Sequence, residues 1–374
     1  MTRGLRAFVG VIGLLGAVGC LSPRTLPPCD GWDESAAFCG FRHPEDLGHL
    51  QSGDWILVSE MTRSDSTSEE DEVFRPGRLT AIRLPEDGGP IDRRKLFPAE
   101  FDEEPPPGDR WGDPACEWGP SLHDFQPHGI DIGPGPDGRT ALAVVTHGQR
   151  EVVDLFEVIP GPAPEIGWRG CVEMPEAVAA NDVALYDEGS FVVTSFVPPA
   201  AMTGFRSFGT FMKLSFGGVT GSVYRWTPTD GLQEIPESQG SAPNGVAVTP
   251  DGRTLWVSEW GGRAVYRLDA DEEGAIRRRR VEIDGRPDNL TWRADGGLLV
   301  AAQDAGVLRI VGCADIQTGG CDVRYTVTGI DPDSLATTLV SEGRGGASVA
   351  LEVGDEIWIG FFAGDSIART PLAD

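Results

Sequence analysis

A small set of side chains in this sequence has the types and the spacing to do chemistry together. Glu45, Asn181, Asn244, Asp288 and Asn289 all end in oxygen, Asp46 and Asp182 directly follow two of them, and His128 and His147 add imidazoles. Carboxylate and amide oxygens are hard donors, and about six to eight of them around one ion suit calcium. Thiolates are absent from these positions and histidine occupies only one, which points to calcium rather than zinc. Two carboxylates balance the ion's charge, three neutral amides extend its oxygen shell, and an open position leaves it able to act as a Lewis acid. Asp46 and Asp182 offer a second calcium ion a place deeper along the same axis. Taken singly, each residue has a plainer use: Asn-Gly and Asp-Asn shape turns, and Glu45-Asp46 suits a strand start.

What changes the reading is that these residues recur at one phase of a repeat. Six short pairs, Glu45-Asp46, His128-Gly129, Asn181-Asp182, Asn244-Gly245, Asp288-Asn289 and Ala347-Ser348, each precede an apolar run, a turn and a second apolar run. NDVALYDEGSFVVTSF, NGVAVTPDGRTLWVSEW and DNLTWRADGGLLVAAQ show the pattern, with Asp-Gly or Glu-Gly in the turn and alternation marking strands. Strand units repeating at roughly 45 to 80 residues, with no helical period, predict an all-β, six-bladed β-propeller around a central calcium-binding channel. Equivalent positions of different blades then meet near one axis.

The histidines are linked by a turn. In PHGIDIGPGPDGRTALAVVTHG the pair Asp137-Gly138 is centred between His128 and His147, so a two-residue hairpin sets the two rings across from each other. Adjacent imidazoles beside a cation suit a relay in which His128 takes a proton from water and His147 tunes it. The bland alternative is a hydrogen-bonded structural pair.

The rest of the chain sets bounds. Residues 1–19 combine Arg3 and Arg6 with the apolar stretch AFVGVIGLLGAV and end in AVGC, the pattern of an export signal before a lipidated Cys20. We therefore expect a signal peptide at 1–19, a lipidated cysteine and tether at 20–38, and the propeller at 39–374. That makes the protein an exported bacterial lipoprotein whose only hold on the membrane is Cys20. Six cysteines remain, and an even number in an exported chain suggests disulfides, with the connectivity open. Local spacing favours Cys29 with Cys39 and Cys313 with Cys321, leaving Cys116 with Cys171 to join two blades. A net charge of -27, from 31 basic and 58 acidic residues, argues against nucleic acid or an anionic membrane as a partner. Part of the excess lies in two acidic insertions, 64–72 and 99–114, that read as surface loops. The run 277–280 is basic and reads as an exposed strand.

At these same residues the chain resembles the paraoxonase family of calcium-dependent lactonases and arylesterases, which are six-bladed propellers. PEDLGHLQSGDWILVSEM, PHGIDI, LAVVTHGQREVVDLFEV, the Asn-Asp of AANDVAL, APNGVAVTPDGRTLWVSE and the Asp-Asn of RPDNLTW follow the family order. The resemblance implies a catalytic calcium on Glu45, Asn181, Asn244, Asp288 and Asn289. It implies a structural calcium on Asp46, Asp182 and the main-chain carbonyl of Ile130. It places His128 and His147 as the family's histidine dyad, with Asp288 a further candidate base or nucleophile. VTSFVPPAAM after Asn181-Asp182 and Ala242-Pro243 before Asn244 depart from the family's pocket wall, and no cysteine follows Cys321 to tie first and last strands, so closure must rest on strand pairing.

The expected activity is hydrolysis of a small lactone or aryl ester by water attacking a calcium-polarised carbonyl. The chain has no GxSxG elbow and no HExxH helix. Two alternatives stand beside it. The gluconolactonase-like and senescence-marker-like propellers share the PNGVAVTPDGRTLWVSE type of repeat and hydrolyse sugar lactones. A non-catalytic surface propeller would use calcium only to stiffen its ring. Residues 197–218, rich in Phe and Met, read as either a lid over the pocket or an inter-blade packing segment.

Overall fold

The computed structural model describes residues 24–29, 36–50, 54–61, 76–83, 91–98, 105, 108–121, 125–148, 150–159, 161–202 and 206–372. The signal segment, Cys20, the acidic stretch 64–72 and most of 99–107 lie outside the described residues.

Six sheets follow one another along the chain, and in each the strands run in sequence from the axis outward, save that Thr25–Leu26, Ala37–Cys39 and Trp111–Gly112, from earlier in the chain, pair with outer strands. The inner strands of blades I to VI are Pro44–Leu50, Gln126–Pro134, Ala180–Tyr186, Pro243–Val248, Arg286–Trp292 and Ala347–Val353. Each touches the next around a ring, and blade VI touches blade I. The expected six-bladed, all-β propeller is what the chain forms. Second strands such as Trp55–Glu60 and Ser190–Ser195 are buried along their whole length. Both faces of those strands are covered by neighbouring blades, so WILV and FVV within them read as apolar runs rather than as alternation. Leu57, Leu79 and Phe97 of blade I, for example, interlock with Leu142, Val144 and Phe156 of blade II.

Closure comes from strand pairing. Ala37–Cys39 forms the outermost strand of blade VI, with Ala37 opposite Ala368 and Cys39 opposite Ser366. The two ends of the chain thus share one sheet, and Thr25–Leu26 pairs with blade V. Pairing therefore begins upstream of residue 39. The three disulfides are Cys29–Cys39, Cys116–Cys171 and Cys313–Cys321. Cys116–Cys171 does not join two blades as expected. Cys116 follows Trp111–Gly112, which pairs in parallel with Gly170 and Cys171, so both sulfurs sit at the outer edge of blade II. A connection that folds back on its own blade cannot be told from sequence spacing.

Helices do occur, contrary to the all-strand repeat pattern. Helix α1 (Arg206–Phe216) and helix α2 (Val307–Val311) are insertions after the second strands of blades III and V. The basic run lies on Ile276–Glu282, the outer strand of blade IV, where Arg279 and Arg280 pair with Asp269 and Glu259. Among the described residues no helix is long and apolar enough to cross a membrane.

One buried charge belongs to the framework alone. Asp154 of blade II accepts a hydrogen bond from Trp168 Nε1 at 3.2 Å, and burial pushes its carboxyl up to about 6. The folded value lies above that of a free carboxyl, so stability falls as pH rises from about 4 to about 6 and stays lower above that. Asp154→Asn keeps the bond to Trp168 and is expected to stabilise at pH 7 by up to about 3 kcal/mol. The gain should vanish near pH 3.5; an equal gain at both values in denaturant titrations would rule out this cause.

Candidate metal centre

Every one of the six repeat pairs sits at a β-bulge. Register shifts interrupt each inner strand at 44/46, 127/130, 180/183, 243/246, 287/290 and 347/349. A bulge places extra residues opposite fewer partners and bends the strand, freeing those residues from the pleat. Glu45, His128, Asn181, Asn244, Asp288, Asn289 and Ser348 all belong to these bulged segments, at the end of the channel where the inner strands begin.

Several contacts tie this set together. Asn289 Nδ2 lies 3.3 Å from Glu45 Oε1, and Ser348 Oγ donates to the Glu45 carbonyl at 2.6 Å. His128 Nε2 lies 3.5 Å from Glu45 Oε1. Asn244 hydrogen-bonds Asp288 through its side chain. Four oxygens, Glu45 Oε2, Asn181 Oδ1, Asn244 Oδ1 and Asn289 Oδ1, are buried without a hydrogen-bond partner. Burying even one such acceptor unpaired is costly, and four within the repeated pairs at one end of the channel is an unusual concentration. Burial, and then the Glu45 charge, push the Asp288 carboxyl up to about 8. Among the described residues no three Asp, Glu, His or Cys side chains form a metal cluster by themselves. A cation here depends on the amide oxygens, and a hard, oxygen-preferring ion fits that donor set.

Asp46 and Asp182 lie deeper. Asp46 Oδ2 accepts from the Ile130 N–H and Asp182 Oδ2 from the Val246 N–H, both at 2.7 Å. These amides follow bulges in the neighbouring blade, so each carboxylate latches its blade to the next. Ile130 meets Asp46 through its N–H. Asp131, which the repeat pattern did not single out, does the same for Leu185 at 2.7 Å. Burial, followed for Asp46 by repulsion from Asp182, raises both Asp46 and Asp182 well above the usual carboxylate range. All three line a channel of about 660 Å³ that opens at the opposite end of the propeller.

His128 and His147 do meet, although not by the expected register. Gln126 is opposite His147, and the turn is a 3-10 turn over Pro136–Gly138 with Asp137 at φ 57°. The bulge then swings His128 back, leaving Nδ1 at 2.8 Å from His147 Nε2. Beyond it, His147 Nδ1 contacts Glu151 Oε2 at 2.9 Å. Glu151 was invisible to repeat analysis, because it lies in a connection rather than at the repeated phase. Gln303 was equally hidden in a second strand. Its Nε2 donates to Asp288 Oδ2 and to the Ala347 carbonyl, while its Oε1 accepts from Trp260 Nε1.

Second strands end beside the start of first strands, as Ser195 beside Ala180 shows, so α1 and α2 stand at the bulge end of the channel. Arg286, two residues before Asp288, donates to the carbonyls of Leu214 in α1 and of Trp260 and Ala305 on the rim. Leu214 packs with Val197, Trp260, Val307 and Phe362, while Phe208 and Phe216 are 64% and 79% exposed. Residues 197–202 and 206–218 thus pack the rim at the end of the channel where the bulges lie.

Residues 165–319 match the family model described as SMP-30/Gluconolactonase/LRE-like region. This match supports the gluconolactonase-like family and does not show paraoxonase membership. No curated protein gives a match. Among solved structures, a gluconolactonase from Xanthomonas campestris is 16% identical, with 94% of this chain and 95% of that chain covered at a TM-score of 0.49. A luciferin-regenerating enzyme is 13% identical over 89% and 92% at 0.48. The periplasmic gluconolactonase of Pseudomonas aeruginosa is 14% identical over 88% of each chain at 0.43.

Proposed function

We propose that the protein is a calcium-dependent hydrolase of small lactones or aryl esters. The observation that carries this reading is the group of four unpartnered buried oxygens on Glu45, Asn181, Asn244 and Asn289, with Asp288 beside them and a histidine pair at their edge. Those five residues would hold the ion, and Asp46 and Asp182 with Ile130 would hold a second. When bound, calcium supplies Lewis-acid polarisation of the substrate carbonyl.

The chain's own residues do the proton work. His128 takes a proton from water as the water oxygen bonds to the carbonyl carbon and the carbonyl π pair moves to oxygen. As the ring C–O bond breaks, its electron pair leaves with the alkoxide oxygen, which recovers the proton from His128. No covalent enzyme intermediate is needed. The imidazolium formed midway lies 3.5 Å from a Glu45 oxygen, an attractive arrangement. Asp288, the other candidate base, is held by Gln303 and Asn244, and we assign it to the cation. The rim over the mouth, with Phe196 edge-on to Trp260 at 5.7 Å, offers an apolar wall to an acyl chain or ring.

A second reading has its own support, since the family match is to a region named for gluconolactonases. Sugar lactones therefore belong beside acyl lactones and phenyl acetate in one substrate panel, assayed with the chain from Leu21 onward. We expect turnover that disappears on chelation and returns with calcium. Preference for gluconolactone selects the second reading. Tight calcium binding without turnover on any substrate would overturn both in favour of a binding propeller.

A further inference from the structure

We propose that Glu151 sets the tautomers of the histidine pair, making Nε2 of His128 the atom that accepts the proton. The proposal rests on the hydrolase reading for its catalytic consequence, and on geometry for the tautomers themselves.

The three residues come from one hairpin of blade II. His128 is at the bulge of the inner strand, His147 ends the second strand, and Glu151 lies in the short connection to the third. That connection is anchored, since the Glu151 carbonyl accepts from the Met174 N–H at 2.8 Å. The Glu151 and His147 side chains are about three-quarters buried. Glu151 is four residues from His147, but this is a strand connection and the contact is no helical surface pair.

A carboxylate can only accept hydrogen bonds. Glu151 Oε2, at 2.9 Å from His147 Nδ1, therefore places the hydrogen on Nδ1. The neutral ring of His147 then presents a lone pair at Nε2. His128 Nδ1, 2.8 Å away, must donate to it. In neutral His128 the remaining lone pair is at Nε2, the nitrogen on the Glu45 side of the ring. The reverse order of tautomers would face the Nδ1 lone pair of His147 against a carboxylate oxygen at 2.9 Å, a stronger repulsion than the assigned order leaves between the His128 Nε2 lone pair and Glu45 Oε1 at 3.5 Å. One carboxylate outside the metal set thus determines the role of a nitrogen two rings away. Glu151 touches neither the cation ligands nor the channel and acts as a positioning residue.

Long-range nitrogen-proton correlation on the full chain labelled in histidine reads the tautomers directly, without a substrate. The expected result is Nδ1–H on both rings of the wild type. Glu151→Leu, which has no acceptor, should move His147 to a mixture or to Nε2–H, whereas Glu151→Gln, whose carbonyl oxygen still accepts, should keep Nδ1–H. Nε2–H on His147 in the wild type, or unchanged tautomers in folded Glu151→Leu, would overturn the proposal. In the hydrolysis assay Glu151→Leu should lower kcat about 10- to 100-fold at nearly constant KM, and Glu151→Gln should restore most of it. Equal kcat in Glu151→Leu and wild type would overturn the positioning role. If the wild type hydrolyses nothing and the tautomers are as stated, the hydrolase reading fails and the tautomer assignment stands.

Discussion

Replacing Asp288 by asparagine is expected to have opposite effects on the protein with and without calcium. Without the ion, burial and the neighbouring Glu45 charge make the ionised Asp288 carboxylate unfavourable, which is why its pKa is pushed up to about 8. A raised folded value means that stability is lost as pH climbs from the ordinary carboxylate range towards 8, so Asp288→Asn should unfold at higher temperature than wild type at pH 7.5 with chelator present. With calcium the order should reverse. The ion's charge would offset the Glu45 and Asp288 repulsion, and wild type gains about 2.7 kcal/mol when calcium stands at 100 times its Kd. Asp288→Asn loses one of two anionic donors and most of that gain. Its kcat/KM should fall by about 10²- to 10³-fold. Thermal melts of both proteins, with calcium and with chelator, give the four values needed. If calcium raises the melting temperature of neither protein, the cation reading of these bulges is wrong.

The second large effect is expected from Gly245→Ala. Gly245 follows Asn244, one of the proposed cation ligands, and a Cβ there would collide with the Asp288 carbonyl and come within 2.6 Å of Asn289 Cα and 2.8 Å of Leu290 N. All three are backbone atoms of blade V and cannot swing aside. Accommodating the methyl means parting blades IV and V at the site itself. Overpacking of this kind costs about 1–3 kcal/mol and sometimes more, and here it also separates Asn244 from Asp288. Gly129 stands in the same relation to blade III, against Asn181 and Asp182. Gly209 in helix α1 has nothing within 4 Å, so Gly209→Ala should be neutral or slightly stabilising and serves as the control. Wild-type stability together with unchanged calcium affinity in Gly245→Ala would show that close blade approach does not set the site.

The mouth of the channel differs in kind from the framework that carries it. Its polar atoms are held by a few cross-blade bonds, such as Asn289 to Glu45 and Ser348 to Glu45, each spanning a long stretch of chain. Arg286, on the strand bearing Asp288 and Asn289, links the same region to α1 through the Leu214 carbonyl.

The strand periodicity and the six repeated pairs were sufficient by themselves to specify a propeller, because period-two patterning and turn residues act over a few neighbouring positions. They also determined which residues share the axis, since equivalent phases of equivalent blades must meet there. Cys29–Cys39 and Cys313–Cys321 followed from short spacing alone. What only the tertiary structure decided depends on contacts between segments distant in sequence. Six bulges, invisible in composition, turn the repeated pairs out of the pleat and leave amide and carboxylate oxygens without partners. The same distortion brings His128 to His147 although Gln126 holds the opposite register position. Glu151 and Gln303 carry no periodic signal and acquire meaning only from what they face. Gly245 reads as a turn residue in sequence and Gly129 holds the equivalent place in its pair, yet neither adopts a left-handed backbone. They are glycine because the next blade's backbone fills the space a side chain would need.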